Sequence, residues 1–264
     1  MLLAQAWTEV ETGMGVRRLG TYRNGWQCVF SQSGIAVSTD RKQYGAYKLL
    51  SPPYCAKCAL PGVSENRCTW HWKDAVTRTY AMGGYLPVER QDTMSDLLSQ
   101  HIRGLKRFVG YSVPLGWAMS LCIERLYPEL LKTEMIVPVP KHPDEMKVDQ
   151  KSGLRYNQAQ ELGRIIGEDI GVNVFDAVLK ASPHSQRHAG WHDRVEIPDG
   201  VYVHNPKVKV RDRSILLIDD VRTSGGTSSA SARVLLESGA KTVNLYVAGR
   251  EVLKVAGQRK GGSN

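Results

Sequence analysis

The chain has 264 residues, 42% of them hydrophobic, enough to bury a substantial core in one large or two modest domains. Lysine and arginine outnumber aspartate and glutamate 35 to 26, and the resulting +9 favours anionic partners, phosphorylated metabolites or nucleic acid, without distinguishing them. No stretch approaches the roughly 18 consecutive apolar residues of a membrane span, and Met1 to Glu9 has no basic region followed by an apolar core of signal-peptide length, so no membrane insertion and a cytoplasmic location are expected.

The first fifty residues read as a small β extension of unknown role. Leu19 to Arg23 and Trp26 to Phe30 flank Asn24-Gly25, the strongest short hairpin signal, and a third strand is expected at Ile35 to Ser38. Tyr22, Trp26 and Phe30 beside Arg17, Arg18 and Arg23 admit two readings, a stacking platform for single-stranded nucleic acid or the core of a small meander. A cysteine cluster follows, Cys55-x-x-Cys58, nine residues, then Cys68-x-x-His71, the spacing of small zinc knuckles. Four ligands would close the coordination sphere, so a structural Zn2+ is expected in a module over 51–75. Cys28 and Cys122 lie outside the cluster and read as buried small hydrophobes.

From Asp92 to Phe108, Met94, Leu97, Leu98, Ile102, Leu105 and Phe108 recur at helical spacing. The opposite face, with His101, Arg103, Lys106 and Arg107, admits two readings, phosphate contacts or a solvated face, and is taken as solvated. A second helix is expected from Leu115 to Leu126, ahead of Pro128, and the two would form a helical cover within 76–130. Ile136-Val137-Pro138-Val139-Pro140 reads as a strand leaving a sheet, with a turn at Lys141-His142-Pro143. Asn157 is placed to cap a helix carrying Ala159, Leu162, Ile165 and Ile166 on one side. Between β-like runs at Asn173 to Leu179 and Val195 to Val203 lies a polar, basic segment from Lys180 to Arg194 with the character of an active-site loop. His184, His188 and His192 fall four apart in it, but Pro183 and Gly190 argue against the helix that would make them a metal face.

Ile215, Leu216, Leu217 and Ile218 form a continuous apolar run suited to a central parallel strand covered on both faces. The run is expected to stop at Asp219 and Asp220, where open α/β sheets place their ligands and where paired carboxylates can accept vicinal hydroxyls or approach a hard cation. Thr223-Ser224-Gly225-Gly226-Thr227 then supplies a phosphate-type loop, and a helix begins near Thr227 with Gly239 as its stop. The loop lacks Gly-Lys-Ser/Thr and Gly-x-Gly-x-x-Gly, which excludes the nucleoside triphosphate and dinucleotide fingerprints and leaves a ribose 5-phosphate as the best fit.

D-D-V-R-T-S-G-G-T resembles the 5-phosphoribosyl-1-pyrophosphate (PRPP) motif of type I phosphoribosyltransferases. V-P-V-P-K-H-P followed by G-L-R-Y-N-Q-A is similar to the ComF (competence protein F-like) subgroup, and the likeness runs from about Ser51 to Arg250. The resemblance implies an α/β fold of the type I phosphoribosyltransferase kind, a mostly parallel twisted sheet flanked by helices, with the catalytic domain over 131–264. It implies that Asp219 and Asp220 hold the ribose hydroxyls and that Arg222, Thr223, Ser224, Gly225, Gly226 and Thr227 hold the 5-phosphate. Val139, Pro140 and Lys141 would line a pyrophosphate loop with Arg155 and Asn157 close by, and Gln186, Arg187 and Arg194 would act from a hood over PRPP. Mg2+ would accompany PRPP, and Cys55, Cys58, Cys68 and His71 would hold the zinc. The chain departs from the pattern at His71, where a cysteine is common, at Asp144, Glu145 and Asp149, which make a usually basic stretch acidic, and over Met1 to Leu50, which has no counterpart. Three functions are compatible with these residues: phosphoribosyl transfer to a nucleobase-like nitrogenous acceptor, handling of single-stranded DNA, and PRPP sensing. A homodimer is also compatible with them. Lys254, Arg259 and Lys260 lean towards nucleic acid, the intact acidic motif towards PRPP.

Overall fold

The computed structural model describes residues 7–12, 15–21, 25–31, 34–39, 42–68, 74–87, 96–183 and 197–252. The expected hairpin, with Gly25 at φ 73°, belongs to a five-stranded antiparallel meander in sequence order: β1 (Trp7–Thr12), β2 (Gly15–Thr21), β3 (Trp26–Ser31), β4 (Gly34–Thr39) and β5 (Lys42–Tyr47). The two outer strands were not expected. W-T-E-V-E-T and K-Q-Y-G-A-Y are too polar to announce a strand by themselves, and only pairing with β2 and β4 makes them strands.

Beyond the meander come β6 (Arg78–Tyr85), α1 (Leu97–Gly104), α2 (Ser112–Leu126), β7 (Met135–Pro138), the short pair β8 (Lys147–Val148) and β9 (Arg155–Tyr156), and α3 (Gln158–Ile170). The chain continues through the hairpin of β10 (Val178–Lys180) and β11 (Tyr202–His204) to β12 (Ser214–Arg222), α4 (Gly226–Glu237) and β13 (Thr242–Glu251). The expected parallel sheet flanked by helices is present, four strands in the order β6-β13-β12-β7, every pairing parallel. The segment read as helical cover therefore also supplies a strand: R-T-Y-A-M-G-G-Y pairs with β13, and its Gly83 leaves room for the Lys48 carbonyl and the Leu98 side chain. The runs Asn173 to Leu179 and Val195 to Val203 contribute the short β10 and β11, which pair with each other, while Val174 adds a single parallel bridge to Ile136 of β7 at the edge of the main sheet.

The alternating side chains of β12 serve two cores, which is why the run 215–218 is apolar throughout. Leu216 and Ile218 pack with Trp117, Leu162 and Ile166 beneath α1, α2 and α3; Ile215 and Leu217 pack with Ala232 and Leu235 of α4 and with the β10–β11 hairpin. A Cβ at Gly116 would lie 2.9 Å from Ile165, so glycine sets the close approach of α2 to α3.

An aromatic seam joins the meander to this body. Trp26 lies 4.8 Å from Tyr44, 5.6 Å from His101 and 6.3 Å from Tyr111 between ring centroids, and the Tyr47 hydroxyl is 2.6 Å from His101 Nδ1. Trp26 therefore serves packing, the second of its two readings. His101, read as part of a solvated face, is buried, and burial lowers its pKa to about 4. Below the usual histidine range near 6.5 the unfolded chain takes up a proton that the folded chain refuses until near pH 4, so stability falls with acidification through that interval. His101→Gln is expected to flatten the decline in urea midpoint between pH 6.5 and 4, by up to about 3 kcal/mol across the interval, since a single proton taken up by the unfolded chain alone costs roughly 1.4 kcal/mol over each pH unit.

Candidate functional site

The site forms where β7 ends and β12 does not. β7 pairs with β12 as far as Pro138 opposite Ile218, and Val139 N–H donates to the Ile218 carbonyl at 2.9 Å before the chain turns away. On its other side β12 keeps pairing with β13 through Val221 opposite Gly249 and Arg222 opposite Arg250. The strand expected to stop at Asp219 thus runs to Arg222: polarity changes at the acidic pair, but pairing does not. Asp219 and Asp220 border the notch left by β7, a cleft of 560 Å³ whose wall includes Pro140, Lys141, Lys106, Lys180 and Tyr202.

The two carboxylates are held by their own backbone, Asp219 Oδ1 accepting from Asp220 N–H at 2.9 Å and Asp220 Oδ1 from Val221 N–H at 3.0 Å. Burial and then the neighbouring Asp220 charge push Asp219 well above the usual carboxylate range. Burial acts on Asp220 in the same sense, but Lys141 and Lys106 outweigh it and hold this carboxyl low. Without a ligand, then, the pair resists double ionisation and Asp220 gives up its proton before Asp219 does, the behaviour of like charges that cannot both ionise cheaply. A hard cation brought between them would ease that resistance.

Lys141, from the expected pyrophosphate loop, lines the cleft with Val139 and Pro140. Arg155 and Asn157 are not on the cleft wall; they brace the loop from behind. Asn157 caps α3 by accepting from Ala159 N–H at 3.1 Å and donates Nδ2 to the Val139 carbonyl at 2.9 Å, while Arg155 Nη1 donates to the Pro143 carbonyl at 3.1 Å. The acidic residues that departed from the family pattern also have structural work. Glu145 receives Lys180 Nζ at 2.6 Å and closes a capping box with His142. Asp149 accepts from Val109 N–H and Ser152 N–H, both at 2.8 Å, and from the Ser152 hydroxyl at 2.6 Å; those bonds, that of Ser152 first, hold its carboxyl below the usual range.

Thr223, Ser224, Gly225, Gly226 and Thr227 connect β12 to α4, whose first residue is Gly226. Gly225 takes φ 90°, in the left-handed region, and a Cβ there would lie 2.6 Å from an Arg222 Nη2, so glycine is required twice over. Thr227 reaches the cleft wall. Arg222, expected to touch the 5-phosphate, turns beneath the loop: its guanidinium is buried, pairs with Asp74 and donates to Thr79 Oγ1 at 2.5 Å.

Lys106, Lys147, Lys180 and Tyr202 reach the cleft from just past α1 and from β8, β10 and β11; the sequence does not single out Lys147 or Tyr202, Lys180 opens the segment read as an active-site loop, and Lys106 falls on the face taken as solvated. Lys106 sits among basic residues beside a helix whose apolar stripe is the only strong signal, and nothing local marks it as different from its neighbours. The hood residues Gln186, Arg187 and Arg194 lie outside the described residues, as do His71 and the three histidines 184, 188 and 192.

Cys55, Cys58 and Cys68 converge, with their sulfurs all within 4.8 Å of one another. Ala59 at φ 56° tightens the turn, and Cys58 Sγ stands 3.5 Å from Cys68 Sγ. Two thiolates on one tetrahedral zinc with bonds of about 2.3 Å are separated by about 3.8 Å, so the three donors fit such an ion with little movement. Cys28 and Cys122 are fully buried, and burial drives both thiols up, as expected for inert hydrophobes.

No family model and no curated protein matches the chain. Among solved structures it is similar to a hypoxanthine-guanine phosphoribosyltransferase of L. donovani, at TM-score 0.32 and 12% identity over 52% of this chain and 71% of that one. It is likewise similar to a purine phosphoribosyltransferase from Pyrococcus horikoshii Ot3, at TM-score 0.30 and 17% identity over 51% and 83%. An allosteric regulatory enzyme of purine biosynthesis matches at TM-score 0.32 and 15% identity over 89% of this chain and 37% of its own. The functional reading below is drawn from the site, not from these likenesses.

Proposed function

We propose that the chain is a PRPP-binding phosphoribosyltransferase of the ComF-like kind. The observation that carries this reading is one continuous piece of chain, β12 to α4, that brings an acidic pair, Asp219 half-buried and Asp220 buried, and a Thr/Ser/Gly turn at a helix start to the same end of the sheet, with Lys141 on the wall of the same cleft. In this reading Asp219 and Asp220 receive the ribose hydroxyls, the 223–227 turn receives the 5-phosphate at the positive end of α4, and Lys141 with the 139–141 turn receives the pyrophosphate. Two adjacent carboxylates on the cleft wall suit a hard divalent cation, and Mg2+ bound with PRPP would supply charge neutralisation to the leaving pyrophosphate. The bond from the anomeric carbon to pyrophosphate breaks as the acceptor nitrogen bonds to that carbon, through a sugar with developing positive charge. Asp220, already ionised, favours that charge, and the phosphate anchor holds the sugar still. No residue is assigned as a general base.

The nucleic-acid reading keeps the net charge and the basic residues Lys254, Arg259 and Lys260 in its favour, while Trp26 of its stacking platform packs into the aromatic seam. Calorimetry with PRPP and Mg2+ is expected to show one-site binding to the full chain, and pyrophosphate release on adding a nucleobase would identify the acceptor. Absence of PRPP binding in the presence of Mg2+ would sink both the transferase and the sensing readings.

A further inference from the structure

The Arg250 side chain lies near the end of β13, only 2% exposed and away from the cleft wall. Its hydrogen bonds join two regions far apart in sequence. Nε donates to the Cys58 carbonyl at 3.1 Å, and Nη1 donates to the Arg222 carbonyl at 2.8 Å and the Thr223 carbonyl at 2.5 Å. Burial and then the nearby Arg222 lower its pKa to about 10, so it remains charged at neutral pH, and hydrogen bonds from a charged donor are the stronger kind. A trans peptide points its N–H opposite to its C=O. Drawing the Thr223 carbonyl inward to Arg250 therefore turns the Ser224 amide outward, the orientation an anion at this turn needs.

The other end of the link is the cysteine turn itself. The Cys58 carbonyl belongs to the residue whose sulfur stands beside Cys68, and the same turn is stitched to β6, with Thr79 N–H donating to the Lys57 carbonyl at 2.7 Å and Arg78 Nε to the Ala56 carbonyl at 3.0 Å. A metal ion tying Cys55, Cys58 and Cys68 together would fix that carbonyl. Without it, the three sulfurs share no common centre, and one anchor of Arg250 is held less firmly.

We infer that Arg250 is a positioning residue that sets the 223–227 turn for an anion, and that metal loading of the cysteine cluster governs how firmly it does so. The binding arm of the test rests on the PRPP reading of the site; the exchange arm does not. Amide hydrogen exchange on the full chain, zinc-loaded and chelator-stripped, reports the turn without any ligand. Stripping is expected to raise exchange at 223–226 while the core of β12 stays protected, and Arg250→Met is expected to raise it with zinc still bound. An unchanged turn in both cases overturns the inference. For binding, PRPP with Mg2+ is titrated into wild type, Arg250→Met and Arg250→Lys, each with and without zinc. Stripping is expected to weaken wild-type binding about 5-fold or more, the lower end of coupling between linked sites. It should have no further effect on Arg250→Met, which is already weakened, and an intermediate one on Arg250→Lys, whose ammonium cannot reach both ends of the link. Equal losses in wild type and Arg250→Met would show independent effects and overturn the coupling. A chain that never binds PRPP but loosens its turn on stripping would overturn the functional reading and leave this inference standing.

Discussion

Asp219→Asn combined with Asp220→Asn is expected to weaken PRPP binding in the presence of Mg2+ by at least about 100-fold. Each carboxylate lost removes hydrogen bonds to a charged acceptor, worth roughly 1.5–3 kcal/mol apiece, and two together exceed the 2.7 kcal/mol or so that corresponds to a hundredfold. Asp219→Asn alone is expected to raise stability at neutral pH, whereas replacing Asp220, which Lys141 and Lys106 hold low, would forfeit stability there. Asp219 has a folded-state pKa well above its usual value, from burial and from Asp220. Between the ordinary carboxylate pKa and that raised value the native state holds a proton that the unfolded chain has released. Stability therefore declines as pH rises through this window, and the penalty is complete above it. Asp219→Asn removes it. Urea midpoints of this variant measured from pH 4 upwards, beside calorimetric titrations, check both halves: tighter folding with lost binding is the signature of a site that works against the fold. Lost binding with a fall in its midpoint at neutral pH would instead mark Asp219 as structural.

Arg222→Leu is expected to act in the opposite sense on stability, lowering it by about 3–5 kcal/mol. Arg222 and Asp74 are 2% and 4% exposed at their side chains, and removing one partner of a buried ion pair leaves the other charged and unmatched. The second variant decides the cause. Arg222→Leu with Asp74→Asn should recover a large part of the loss, since the orphaned charge is then gone, whereas a simple packing defect would add the two costs. The loop would also change, because the guanidinium is the floor on which Gly225 rests.

How much of this was legible beforehand varies with the range of the interaction. The strand, acidic pair, turn and helix from Ser214 to Glu237 could be read because each signal is local: an apolar run, two carboxylates, glycines, a helical period. Asn157 as a cap and the approach of Cys55, Cys58 and Cys68 were legible for the same reason. Arg222 was not, since its neighbours in sequence belong to the loop but its partners are Asp74 and Thr79, more than 140 positions away. Lys106 and Arg250 escaped likewise: one reaches the cleft from just past α1, the other reaches Cys58 from β13, and no spacing rule connects such pairs. β6 hid because two glycines in eight residues suggest a turn until β13 is known to lie alongside.

The carboxylate oxygens that accept from the Asp220 and Val221 amides have a consequence for mobility. A surface aspartate swings among rotamers and must be stilled when a ligand arrives, at an entropic cost. Here the backbone N–H of Asp220, on the edge that β7 leaves after Pro138, and that of Val221 already hold both side chains. The early departure of a short edge strand does more than open a cleft. It frees one ladder N–H, that of Asp220, to bear on Asp219, so that much of the order a ligand would have to impose on that side chain is established when the chain folds.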